Sequence, residues 1–288
     1  DLHSFPTRRS SDLDLDEAFQ STMSRLQDAL KNQDLNPQTT LRDSVASVLY
    51  NNNIRAKRMR TEDLSNISYD RILEIYKERF ANAADFEFYF VGDLNADSVA
   101  PLLAKYLGAL PVSKKMEKAK VIDRRLSKGE RICIFEKEQD TPSATVNFVY
   151  HAPLKESLRN DILVDMLEQA MSMLYTETVR EDEGGAYGVP VSASLNDYPE
   201  EIAIVQIQLP TAPDKMDHMM QVVYDGIEKV CGEGPSEDYL QKIKEYMIRS
   251  HAENLKKNGY WMNQMVNLTR FHIDYVTGYD EMVQSIKI

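Results

Sequence analysis

The chain has 288 residues, enough for one or two domains, and its 42% hydrophobic and 28% charged side chains can bury a core. A net charge of −12 at pH 7 sets it against a polyanionic nucleic-acid partner, and no apolar run approaches the ~20 residues that a membrane helix needs. Two cysteines, Cys133 and Cys231, are too few for a disulfide framework, lack metal-type spacing and do not decide the compartment.

Residues 1–13, DLHSFPTRRSSDL, are Ser/Arg-rich and have no apolar period, and they lack the apolar segment of a signal peptide. The string resembles translated adapter sequence, and it is expected to be foreign or disordered. From Asp14 a helix is expected, with Leu15, Phe19, Met23, Leu26 and Leu30 on one face and Pro37 ending it. Leu41, Val45, Val48 and Leu49 mark a second helix. The basic segment NNNIRAKRMR, residues 51–60, follows; it fits a solvated loop or a surface that meets an acidic substrate. Ser68 is placed to cap a third helix carrying Ile72, Ile75, Tyr76 and Phe80. Residues 85–92, DFEFYFVG, read as a strand, and Asn95 as the cap of a helix ending near Tyr106. Residues 112–129 are Lys-rich, lack a period and suit a linker.

The second half has a different pattern. Strands are expected at 130–136 and 143–150, a long helix from about Ser157 to Arg180, strands at 187–195 and 201–209, and helices over about 213–231, 237–257 and 260–276. This is an α+β order, and residues 130–209 are expected to form one sheet of at least four strands with the long helix packed on it. Residues 14–111 offer four helices and one strand, which cannot make a sheet alone. Two domains follow from this: 14–111 as the back of one α+β unit, and 130–288 as the front of the next, truncated at its end.

The stretch LYTETVREDEGGAYGVPVSAS, residues 174–194, carries the most chemistry. Arg180 stands where the long helix should end. Gly184 and Gly185 allow a positive-φ turn, and Tyr187 opens the next strand. A guanidinium fork and a phenol at two facing element ends can hold a peptide backbone or a developing oxyanion. The same residues also read as a solvated helix-end cation and a strand-edge aromatic. Glu181, Asp182 and Glu183 read as a solvated turn, and Tyr260, Trp261, Met262 and Met265 as core on a helical stripe.

Three segments together resemble the pitrilysin/insulinase-type zinc metallopeptidases. Residues 71–111 look like the closing helix, strand and helix of one repeat. Residues 142–154, PSATVNFVYHAPL, look like an early strand of the next. Residues 179–194, VREDEGGAYGVPVSAS, look like the Arg…Tyr motif of the family's C-terminal half. The resemblance implies repeated α+β domains, a mainly antiparallel sheet covered by helices, and two halves closing around a peptide. It implies that Arg180 and Tyr187 contact substrate backbone near the scissile carbonyl while another half carries the metal. The family's H-x-x-E-H motif is missing: His3, His151, His218, His251 and His272 never fall within one helical turn of each other. No cofactor or metal site is therefore expected in this chain, and zinc is assigned to the parent's other half.

The expected activity is that of the C-terminal, substrate-binding part of a zinc metalloendopeptidase. The expected partners are a peptide or unfolded protein substrate and either the N-terminal half of the same protein or a zinc-bearing partner subunit, with no nucleic acid and no membrane span. The chain is expected to be soluble, in the bacterial periplasm or the cytoplasm. The competing readings are a non-catalytic partner subunit or peptide-binding scaffold of the same family, and an unrelated α+β binding module.

Overall fold

A computed structural model describes residues 15–33, 35–113, 115–118, 120–183 and 188–287. They divide into two units. Unit 1 comprises residues up to 87 together with 101–139, and unit 2 comprises 88–100 together with 140–288.

Unit 1 is helical, and its helix starts are set by short polar side chains. Helix α1 (Leu15–Gln33) stops before Pro37, which opens α2 (Pro37–Leu49) at a position where its missing N–H costs nothing. Asn36 caps α2, its side chain accepting from Gln38 N at 2.9 Å. Ser68 caps α3 (Tyr69–Arg79), accepting from Arg71 N at 3.3 Å. The described residues of 112–129 have neither helix nor strand, yet they are tied to this unit. Ser127 donates its N–H to Leu49 O at 2.6 Å and its hydroxyl to Val48 O at 2.9 Å, and Asn53 Nδ2 donates to Asp123 O at 2.7 Å. Helix α4 (Ala96–Tyr106) follows Asn95, whose Oδ1 accepts from Ser98 N at 3.0 Å.

Two expected strands are not assigned as such: among the described residues, 86–91 and 131–139 carry no strand, and residues 83–85 are a 3-10 turn. Both runs alternate correctly, but Phe86, Phe88 and Phe90, like Ile132 and Ile134, keep their apolar side chains exposed. Cys133, expected in an apolar strand, is exposed.

Unit 2 is α+β, as the element order predicts. Strands β1 (Ala144–Pro153), β2 (Val191–Asn196) and β3 (Ile202–Thr211) form an antiparallel sheet in the order β1-β3-β2. Among the described residues the sheet has three strands, not the expected four. β3 is central, with Phe148 opposite Ile207 on one side and Val191 opposite Ile207 on the other. Helices α5 (Leu158–Glu183), α6 (Met216–Glu233), α7 (Glu237–Asn254), α8 (Asn258–Phe271) and α9 (Tyr279–Ser285) complete the unit. The helix expected over 260–276 ends at Phe271, because His272 takes a left-handed conformation (φ 57°) and donates its N–H back to Leu268 O.

Helix α5 serves two cores, which is why its apolar residues run round the helix and not along one stripe. One side (Met171, Tyr175, Val179) packs with Phe148, Val189, Ile207 and Leu209 of the sheet region and with Met219 and Val223 of α6. The other (Ile162, Met166, Ala170) packs with Leu240, Ile243 and Met247 of α7 and Val283 of α9. The α5–α6 contact is close at Gly226: a Cβ there would lie 2.6 Å from Tyr175 Cε1. Tyr175, fully buried, donates its hydroxyl to Val223 O at 2.9 Å, so the phenol is satisfied inside the core.

Candidate functional site

The chain on either side of the 180–187 segment is held by burial. Val179 and Val189 are 3% and 6% exposed and belong to one core cluster, so the chain leaves and re-enters the same packed interior within ten residues. On the return, Pro190 O accepts from Gln208 N at 2.9 Å. Two local expectations are corrected here. The helix continues through Arg180 to Glu183, and β2 begins at Val191, so residues 188–190 precede it without a ladder. Arg180 therefore lies one turn inside a helix whose good formers, Arg and Glu, carry it to the glycine pair. Its side chain, those of Glu181, Asp182 and Glu183, and the whole of Gly184 to Tyr187 lie outside the described residues.

The Pro190–Gln208 bond sets the ladder's alternation. Ser192, Ser194 and Asn196 point their backbone groups at β3, while Val191, Ala193 and Leu195 point theirs to the outer edge. At that edge Ala193 donates its N–H to Glu168 Oε2 at 2.7 Å, so a carboxylate of α5 satisfies one edge donor next to the turn.

At its other end α5 carries a group of acidic side chains. Burial pushes the Asp161 carboxyl up to about 6, and the nearby Asp165 and Glu156 carboxylates add to this. Asp165 is raised by burial and by Glu168. Glu156 accepts from the Tyr275 hydroxyl at 2.5 Å; burial and that carboxylate push the phenol up. Sequence reasoning did not single out these acids. The readable signal was the spacing of Asp161, Asp165 and Glu168 at i, i+4 and i+7, which puts them on one helix face.

The histidines fall on separate elements. His151 lies on β1, His218 on α6, His251 on α7, and His272 just past α8. His251 is buried between Tyr260 and Tyr279, with Nδ1 2.9 Å from Asp280 Oδ1 and Nε2 without a protein partner. Among the described residues no three His, Cys, Asp or Glu side chains are grouped as a metal ion requires. One buried imidazole nitrogen beside phenols is not a zinc ligand set. The stripe of Trp261 and Met265, read as core, is a correction: they are 39% and 37% exposed, and α8 buries none of its residues. An open pocket of about 350 Å³ in unit 1, lined by Gln20, Met23, Gln27 and Leu64, offers no titratable group.

The family model for the peptidase M16 inactive domain matches residues 66–247, from just before α3 to the last turns of α7. The chain belongs to that family. Among curated relatives, a zinc protease PQQL-like protein of Arabidopsis thaliana is 19% identical over 266 residues, 85% of this chain and 27% of that protein. The probable zinc protease PqqL of Escherichia coli is 22% identical over 224 residues, 77% of this chain and 24% of that protein. The chain thus spans about a quarter of the length of these relatives. The crystal structure of the periplasmic protease PqqL from Escherichia coli superposes with a TM-score of 0.75 at 20% identity, covering 92% of this chain and 30% of that one. The ferredoxin protease FusC, solved with Arabidopsis ferredoxin, gives 0.70 at 15% identity, covering 92% and 29%. At these identities the structural likeness is one of fold. The matched span of the M16 domain contains α5, the Arg180–Tyr187 segment, β2 and β3. No helix among the described residues is long and apolar enough to cross a membrane.

Proposed function

We propose that this M16 domain is the C-terminal, substrate-binding part of a zinc metalloendopeptidase, and that Arg180 and Tyr187 act on the peptide at the scissile bond. The observation that carries the reading is the family match across residues 66–247, which includes the α5–β2 turn where the Arg and Tyr stand seven residues apart. The buried valines at either side of the turn support it, since groups that orient a substrate need a rigid mounting. In this reading the guanidinium donates to a substrate backbone carbonyl. The Tyr187 hydroxyl donates to the oxygen that gains negative charge as the carbonyl carbon becomes tetrahedral. Zinc held by another part of the parent protein would polarise that carbonyl and activate water. The substrate is a peptide or unfolded segment, and the partner is the zinc-bearing half.

The test uses the complete zinc-loaded protein and a short peptide, with kcat normalised to folded, metal-bound enzyme. Tyr187→Phe keeps the ring and loses the donor, and kcat should fall about 10²–10³-fold. Arg180→Lys keeps the charge and loses the planar fork, and should leave most of the deficit of Arg180→Ala in place. Wild-type kcat in both Tyr187→Phe and Arg180→Lys would sink the assignment. The family's description as an inactive domain fits a second reading equally well, a peptide-binding subunit with no zinc partner. A complete reading frame without H-x-x-E-H would favour it.

A further inference from the structure

We propose that unit 1 carries a docking surface for an acidic polypeptide segment. Residues 37–60 and 112–137 hold fourteen of the chain's 34 Lys and Arg but five of its 46 Asp and Glu, so a basic region stands on a chain of net charge −12. The two stretches are far apart in sequence and are brought together by the fold. Ser127 bonds to Leu49 and Val48, Asn53 to Asp123, and Lys137 Nζ to Thr40 Oγ1 at 2.8 Å, while the Arg124 guanidinium lies 5.3 Å from the centre of the Tyr50 ring. Three of the five carboxylates are engaged by specific cations: Asp43 by Arg58 and Arg60 at 3.2 and 2.7 Å, Glu117 by Arg79 of α3, and Asp123 by Arg125 at 3.9 Å. Arg55, Lys57, Arg124 and Lys128 are exposed around these contacts.

The occupant follows from what lies among the cations. Ile54 and Val121 are 77% and 69% exposed, and Ile122 is exposed beside them. The Asn53–Asp123 bond sets Ile54 and Ile122 each one residue from a shared contact. Apolar side chains between cations match a polypeptide that alternates carboxylates with apolar residues. A phosphate polymer gains nothing from them, and it prefers aromatic platforms; Tyr50 already has a guanidinium on its face. The acidic remainder of the chain also repels a long polyanion that overruns the basic region.

Docking needs no turnover, so this inference stands apart from the Arg180/Tyr187 reading. The full chain is titrated into a fluorescein-labelled short peptide of alternating Glu and Leu, and anisotropy is read. A Lys-and-Leu peptide and a thymidine oligonucleotide of equal length serve as comparisons. The Glu peptide should bind alone of the three. Its Kd should rise about tenfold between roughly 50 and 200 mM salt, as the screening length halves. Arg55→Glu, Lys57→Glu and Lys128→Glu together should weaken it by about tenfold or more, whereas Lys229→Glu with Lys256→Glu in unit 2 should not. If the triple reversal lowers the helical circular dichroism, the same three sites changed to Gln replace it and should weaken binding severalfold. Equal binding of both peptides, no binding at low salt, tighter binding of the oligonucleotide, or indifference to the substitutions overturns the proposal.

Discussion

Asp161 sits in the first turn of α5, where the helix N-terminus favours its charge by about 0.3–1 kcal/mol. Burial and the Asp165 and Glu156 carboxylates oppose this and win, because its carboxyl is pushed up to about 6 from an ordinary 3.8. The folded chain then holds this proton more tightly than the unfolded chain does. In the window between about 3.8 and 6, stability falls as pH rises, and above it the folded state carries the full penalty. Asp161→Asn should stabilise unit 2 at neutral pH by about 1–2 kcal/mol, after allowing for the solvent that still reaches the site. It should also flatten the dependence between pH 4 and 6. Urea midpoints across that range check both expectations, and an Asp161→Asn protein less stable than wild type at pH 7.5 would refute them.

At the scale of elements, β2 is an outer strand whose backbone groups at Val191, Ala193 and Leu195 face away from β3. Glu168 turns one of these edge donors inward by accepting from Ala193 N. A charge-assisted bond of this kind contributes about 1.5–3 kcal/mol when its partner would otherwise be left unsatisfied. Glu168→Ala should therefore speed hydrogen exchange at the Ala193 amide by about tenfold or more. Exchange at Ile207 in the fully buried centre of β3 should change little, because β3 keeps neighbours on both sides. Equal acceleration at both amides would mean that Glu168 supports the whole sheet and not its edge.

At the scale of the molecule, the two units differ in how much they bury. Among the described residues of unit 1, Leu30 and Leu126 are the buried apolar side chains; the rest of the core belongs to unit 2, where α5 joins its two clusters. Unit 1 should unfold first, with amides of α1 to α3 exchanging ahead of those in α5 and β3. Removing apolar volume on either side of α5 should lower one and the same later transition. Ile207→Ala and Ile162→Ala are expected to cost about 2–5 kcal/mol each. Calorimetry of the two variants checks this: two separately shifted transitions within unit 2 would show that the shared helix does not couple its cores.

Sequence alone was enough wherever a structure is settled within a few residues. The Ser68 and Asn95 caps bond to amides three positions on, α1 stops before Pro37, and the strands expected at 143–150 and 201–209 form as β1 and β3. The resemblance carried by residues 71–111, 142–154 and 179–194 likewise needed no coordinates to point to the M16 family. Tertiary structure decided what depends on distant partners. DFEFYFVG and RICIFEK alternate, yet no strand is assigned to either among the described residues, because side-chain alternation alone does not define a strand. The long helix is legible as a helix, but packing decides which of its sides meets the sheet and α6 and which meets α7 and α9. Asp161 becomes a desolvated acid near Asp165 and Glu156 only once the fold buries it, since burial is a property of the surroundings that no local pattern encodes.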